Sequence, residues 1–212
     1  MNEQELQQLI SSVVKQMLVK ETPTDTVPVE VSALHVHLTQ ADVEALFGAG
    51  HTLTHKRNLS QPGQFLAEER VSVVTGKNTF HNVAVLGPVR DHTQVELSLT
   101  DARALGLKPP IRQSGDTKGC PTVCLLAGSQ MIRAEEAVMI AQNHIHMTPA
   151  DARRYGVSDG QVIKVEMGTQ RPVTFDDVVV RVRDDFALAM HIDLDEANAC
   201  AFQNGESGRV VR

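Results

Sequence analysis

The sequence predicts a mainly β protein: two small β-barrel domains with short capping α-helices, preceded by an amphipathic N-terminal helix. Three observations carry this prediction. Short apolar runs at residues 71–75, 80–86 and 123–126 are separated by turn residues, among them Gly63, Gly76, Gly87-Pro88 and Gly115-Asp116. No long helical crossover stands between such runs, which argues against a doubly wound parallel sheet. A strand-to-helix pattern also occurs twice, at residues 31–42 and 141–151, as an internal duplication would leave it.

Residues 1–20 stand apart. Leu6, Leu9, Ile10, Val13, Val14, Met17 and Leu18 fall on one helical stripe, with Gln7, Gln8, Ser11, Ser12, Lys15 and Gln16 on the other face. The apolar residues are too interrupted for a secretory signal and too few for a membrane span. Residues 21–28, with Pro23 and Pro28, are expected to be a linker. A tethered amphipathic helix suits docking to another molecule, and packing on its own domain is the plainer alternative.

The first copy of the repeat places His35 and His37 two apart in an alternating run, so both imidazoles project from one face of a strand. Leu38-Thr39-Gln40-Ala41-Asp42 then opens a helix over residues 39–47. The second copy has His144 and His146, followed by Met147-Thr148-Pro149-Ala150-Asp151, with Pro in the first helical turn. Each copy has a later partner. Glu96 and His191 sit in alternating apolar runs ahead of Asp101 and Asp195, the acidic residues that open further short helices. Beyond residue 150, strands are expected at residues 161–167, 172–175 and 177–182.

A chain of 212 residues, 42% hydrophobic and 22% charged, can bury one large core or two small ones. Its formal charge of -6, 3% aromatic content and lack of Trp give no footprint for nucleic acid. Cys120, Cys124 and Cys200 form no Cys-x-x-Cys pair and no even framework, which points to structural thiols in a reducing cytosol.

The candidate site is therefore His35, His37, Glu96, His144, His146 and His191. Neutral imidazoles and a carboxylate suit zinc and its neighbours among divalent metals, and six ligands suffice for two ions with open positions. A lone strand histidine is more often a hydrogen-bonded surface residue, so the duplication carries the weight. His51, His55, His81 and His92 sit in polar or turn contexts and are read as surface residues. Arg90 follows an apolar strand and a Gly-Pro turn, from which a guanidinium could reach the metal region and clamp phosphate; a surface ion pair with Asp91 is the alternative. The segment at residues 112–119 has two glycines and a lysine but not the spacing of a P-loop.

The motifs Val31-Ser32-x-x-His35-x-His37-Leu38, Gln61-Pro62-Gly63-Gln64, Leu86-Gly87-Pro88-x-Arg90, Gln94-Val95-Glu96, Arg112-x-Ser114-Gly115-Asp116, His144-Ile145-His146-Met147 and Met190-His191-Ile192-Asp193 through Asn198 together resemble the PduL-type phosphate propanoyltransferases, the phosphotransacylases of bacterial microcompartments. The resemblance runs from about Pro28 to the C-terminus. It implies a phosphate acyltransferase interconverting acyl-CoA (propanoyl-CoA or acetyl-CoA) plus phosphate with acyl phosphate plus CoA at a two-zinc site. His35, His37, Glu96, His144, His146 and His191 match the family's Zn2+ ligands and Arg90 its phosphate-binding arginine. Val31, Ser32, Leu86 and Asn198 fall where a CoA pocket is expected. Residues 29–34 with 142–212 would form the first barrel and 35–141 an inserted second one, whereas the strand pattern alone suggests a single cut near residue 141.

The chain departs from the family at Ala33-Leu34, where a polar pair is usual, and at Cys120, where Thr or Ser is common. Residues 1–20 resemble an encapsulation peptide that docks to microcompartment shell or cargo, which would place the enzyme in a bacterial microcompartment within the cytoplasm; a homo-oligomer is expected. Two other readings use the same residues: a metal-dependent acyl-CoA hydrolase, with water in place of phosphate, and a non-catalytic microcompartment cargo or scaffold protein with structural metals.

Overall fold

The computed structural model describes residues 25–211, so the N-terminal helix expected at residues 1–20 lies outside the described residues. Fifteen strands and four short helices follow. Six of the strands close a barrel in the order β1 (Thr26–Ser32), β14 (Ala189–Asp193), β11 (His144–Met147), β13 (Val173–Val182), β12 (Val162–Met167) and β15 (Ser207–Val211). The other nine form a second, curled sheet. Its order is β7 (Ile111–Arg112), β10 (Val138–Ala141), β6 (Gln94–Glu96), β2 (His35–His37), β5 (Thr79–Gly87), β4 (Phe65–Val74), β8 (Val123–Ala127) and β9 (Gln130–Ala134), with β3 (His55–Asn58) paired to β4.

The expected single cut near residue 141 does not describe this topology, because β1 pairs with β14 in parallel and with β15 antiparallel. The chain leaves the barrel after Ser32, builds the second sheet and returns through Gln142-Asn143. Residues 26–28, expected as linker, are strand: Val27 is fully buried in the barrel core, and its apolar contact outweighs the polar, Pro-containing composition around it. The strands expected at residues 172–175 and 177–182 are one ten-residue strand, β13, in which exposed Asp176 and Asp177 interrupt the apolar pattern but not the ladder. Its first half pairs with β12 and its second half with both β12 and β11.

Each sheet encloses its own core. Val27, Val29, Ile145, Met147, Tyr155, Val165, Met167, Val180, Met190 and Ile192 fill the barrel, while Val36, Leu38, Val71, Val85, Val95, Leu105, Leu125 and Val138 fill the other cluster. Gly208 lets β15 approach β12 inside the barrel, since a Cβ there would meet Val165 Cγ1 at 2.5 Å.

Four helices leave four strands that carry the candidate ligands. They are α1 (Gln40–Phe47) after β2, α2 (Leu99–Leu105) after β6, α3 (Pro149–Tyr155) after β11 and α4 (Leu194–Ala199) after β14. Thr39, Ser98, Thr148 and Asp193 cap them by accepting from the backbone N–H three residues on, and the last three form reciprocal capping boxes. The caps fix the exit angle of each strand one to three residues from its ligand-bearing end. No helix among the described residues is long and apolar enough to cross a membrane.

Candidate active site

The duplication read in the sequence becomes a geometric repeat. On β2 the core takes Val36 and on β11 it takes Ile145, so the flanking histidines of each strand face away from the core. β2 lies antiparallel to β6 with His35 opposite Glu96, and β11 lies antiparallel to β14 with His144 opposite His191. Two donor clusters result: His35, His37 and Glu96 in one sheet, His144, His146 and His191 in the other, the donor atoms of each lying within 4.8 Å of one another. Within the first, Glu96 Oε2 is 3.6 Å from His35 Nε2 and Glu96 Oε1 is 3.8 Å from His37 Nε2.

These residues fit divalent metal. In each copy the first histidine donates Nδ1–H to the backbone carbonyl two residues earlier, His35 to Ala33 and His144 to Gln142, both at 2.8 Å. That bond fixes the tautomer and leaves Nε2 as a lone-pair donor, as metal-bound histidines require. Because the acceptor is a backbone carbonyl, the unusual Ala33 side chain does not disturb it. In each copy the second histidine has a buried Nδ1, of His37 and of His146, with no partner at hydrogen-bond geometry among the described residues. The Leu86 backbone lies close to the His37 ring and raises its pKa slightly, whereas His146 has no such neighbour, and an orphaned buried nitrogen beside two other imidazoles calls for a ligand.

The protonation states agree. Burial holds His37 well below its ordinary value, with His35 and Arg90 adding to the effect. Burial, and then the neighbouring histidine, lower His144 to about 4, and burial with Arg181 lowers His191 to about 4. His146 falls to about 2, chiefly by burial and then through His144 and His191. Burial works in the other direction on Glu96, yet His35, His37, the Ser114 hydrogen bond and Arg90 outweigh it and hold the carboxylate at about 2. At neutral pH His37, His144, His146 and His191 are therefore neutral imidazoles and Glu96 is a carboxylate.

Both clusters open into one cleft of about 1100 Å³, lined from the sheet by Leu86, Arg90 and Ser114 and from the barrel by Val31, Ser32 and Arg181. Arg90 does not pair with Asp91. Its guanidinium lies 3.9 Å from Glu96 and donates to Ser114 Oγ at 3.0 Å. Ser114 in turn donates to Glu96 at 2.7 Å and accepts from Gln94 Nε2 at 2.8 Å, while Gly115 N–H donates to Gln94. The loop that fails as a P-loop thus braces the carboxylate and the arginine. Gln61, buried, clamps the barrel loop through two bonds to the Ala187 backbone, at 3.0 and 3.1 Å, and so ties the two sheets together beside His191.

A family model for phosphate propanoyltransferase matches residues 28–203. The chain belongs to the phosphate propanoyltransferase family. It is 48% identical to a phosphate propanoyltransferase of Listeria monocytogenes over 97% of this chain and 96% of that one. It is 49% identical to one of Leptotrichia buccalis over the whole of both chains, and 45% identical to one of Alkaliphilus metalliredigens, again over both in full.

Of the residues singled out in the sequence, the structure brings His35, His37, Glu96, His144, His146, His191, Arg90, Val31, Ser32 and Leu86 to the cleft. Asn198, on α4, is exposed and lies outside the cleft wall. His55, His81 and His92 are exposed, whereas His51 is half-buried against the buried carboxylate of Glu69 at 2.7 Å. Cys120 and Cys200 are buried, burial pushes both thiols up, and no cysteine lines the cleft among the described residues. Sequence reasoning missed Gln94, Ser114, Arg181 and Phe186, the last stacked on His146 with ring centroids 4.0 Å apart. Gln94 and Ser114 stood in the sequence only as motif members without a role, and Arg181 left a signal as a charge next to the end of an otherwise apolar run.

Proposed function

We propose that the chain is a phosphate acyltransferase that interconverts propanoyl-CoA or acetyl-CoA plus phosphate with acyl phosphate plus CoA in the cleft between the two sheets. The observation that carries this reading is the position of Arg90: a braced guanidinium beside one donor cluster, in a cleft that the second cluster also lines. The names of the relatives support the same transfer.

Two zinc ions, held by His35, His37 and Glu96 and by His144, His146 and His191, would supply Lewis acidity toward the thioester carbonyl oxygen or the departing thiolate. Arg90 holds the phosphate by a planar fork of N–H donors and aims one phosphate oxygen at the thioester carbon. The C–O bond forms as the C–S bond breaks, the acyl group passes to phosphate, and CoA leaves as the thiolate. The gain is largely positional, two reactants being fixed in near-attack geometry. No side chain has to carry the acyl group, consistent with thiols that are buried or outside the cleft. Val31, Ser32 and Leu86 form the wall against which the CoA arm would lie.

The test is the loss of thioester absorbance of propanoyl-CoA with zinc-replete protein, with and without phosphate and after chelation. Turnover that needs phosphate and stops with the chelator is expected; equal loss without phosphate would make water the nucleophile and the protein a hydrolase. Arg90→Ala should abolish transfer with zinc content intact. Residues 1–20 are proposed to dock to microcompartment shell or cargo, so their removal should leave activity unchanged and abolish co-sedimentation with shells.

A further inference from the structure

We propose that Arg181 is a second substrate-holding arginine, which binds the phosphate from the barrel side while Arg90 holds it from the open sheet; this rests on the reading above.

The placement comes first. Arg181 lies on β13 directly beside His146 of β11, and its side chain lines the same cleft as Arg90. Burial lowers both guanidinium groups, and each feels the charge of Glu96; Arg90 is lowered further by Arg181. Two partly desolvated cations lining one cleft repel, and an anion between them or a carboxylate dedicated to each relieves that repulsion.

No carboxylate is dedicated to Arg181. Among the described residues its guanidinium has no hydrogen bond and no ion pair, and its close neighbour is the Phe186 ring, 5.9 Å from Cζ to the centroid. Glu96 is already committed to His35, His37, Ser114 and Arg90. Asp185 is taken by Arg183 through two bonds of 2.9 and 2.6 Å, and Asp159 accepts from the Val182 N–H. A half-buried guanidinium with its donors unspent, aimed into a cleft with a second arginine, is a site for a tetrahedral oxyanion.

The duplication shows that this residue is not simply the copy of Arg90. Arg90 N–H donates to the carbonyl of Leu38, just after the first His pair, and Arg183 N–H donates to the carbonyl of Met147, just after the second. By that correspondence Arg183 is the counterpart of Arg90; it borders the cleft at an exposed position, where its donors are spent on Asp185. The counterpart of Arg181 is found by stepping once along β5 from the pair Val36–Val85, and it is Leu86. The barrel half therefore carries a cation where the other half carries an apolar wall, which costs desolvation and is offset when an anion binds.

The experiment titrates inorganic phosphate into the zinc-loaded full chain by calorimetry, for wild type, Arg181→Met, Arg181→Lys and Arg183→Met, with zinc per chain and melting temperature measured on each. Arg181→Met is expected to weaken phosphate binding ten-fold or more with zinc content unchanged, and to raise the KM for phosphate but not that for propanoyl-CoA. Arg181→Lys, which keeps the charge and the stem, should fall between, and Arg183→Met should stay within two-fold of wild type. Phosphate affinity within two-fold of wild type in Arg181→Met overturns the proposal, as does a loss of affinity that Arg181→Lys does not partly restore, or one that follows loss of zinc. If phosphate binding depends on Arg181 but wild type turns over propanoyl-CoA without phosphate, the binding site stands and the transferase reading fails. If turnover needs phosphate and Arg181→Met binds it normally, the transferase stands and the role of Arg181 fails.

Discussion

Ser114→Ala should damage both stability and turnover, although Ser114 is not a candidate metal ligand. The Ser114 hydroxyl has one donor and two acceptor positions, and all are used: it donates to Glu96 and accepts from Arg90 and Gln94. Removing it takes a hydrogen bond from a buried carboxylate, a loss of about 1.5–3 kcal/mol for a charged partner. Arg90 is a third exposed at its side chain, so water replaces part of its loss, and the Glu96 arm dominates. For a chain of this size that corresponds to a fall of roughly 4–10 °C in melting temperature. Without its brace Arg90 samples more rotamers, and a ten- to hundred-fold fall in phosphate-dependent kcat/KM, about 1.4–2.8 kcal/mol of transition-state stabilisation, is expected. Melting is followed by circular dichroism and turnover by thioester absorbance. Ser114→Thr keeps the hydroxyl and should recover most of both. A Ser114→Ala protein that melts and turns over like wild type would refute the brace and with it the positional account of Arg90.

Replacing His144 and His146 together with alanine should lower bound zinc to roughly half, since the other cluster is intact, and a fully zinc-replete double variant would remove these residues from the ligand set. Gly208→Ala forces a Cβ to within 2.5 Å of Val165 Cγ1 inside the closed barrel. Such overpacking costs about 1–3 kcal/mol, read as a lower melting temperature, and an unchanged melt would show that the barrel wall gives way freely. Glu196 accepts from Asn143 and from the Asp193 N–H, and burial pushes its carboxyl from 4.5 up to about 7. Its folded form holds a proton that the unfolded chain has released, so this contribution to stability is complete below 4.5 and is lost as the pH rises toward 7. In Glu196→Gln the fall in melting temperature between about pH 5 and about pH 8 should therefore shrink, by an amount equivalent to at most about 3 kcal/mol. An unchanged difference between the two pH values would mean that Glu196 does not titrate in that range.

Much of the site was legible from local chemistry. A period of two places His35 with His37 and His144 with His146 on one face whatever the rest of the chain does, and Thr148, Pro149 and Asp151 specify the helix that follows from side-chain bonds to the adjacent backbone. Even the equivalence of Glu96 and His191 could be read, because the duplicated order of strand and capped helix survives in the sequence. Residues 26–28 and 172–182 were misread for the same reason as each other. Composition reports local preference, while Val27 and β13 are held as strand by neighbours far along the chain.

What tertiary structure alone decided is which residues without a local pattern enter the cleft. Ser114 and Gln94 reach Glu96 because their loop and strand converge on it, and Gln61 reaches Ala187 across 126 residues of sequence. Arg181 and Arg183 are two apart and both border the cleft, yet Arg183 is mostly exposed and spends its donors on Asp185 while Arg181 has no carboxylate partner among the described residues. Strand periodicity says which residues share a face, but only the pairing of β13 with β11 puts Arg181 beside His146. Hydrogen bonds between distant strands set that register, and their energy depends on contacts that no local window of the sequence contains.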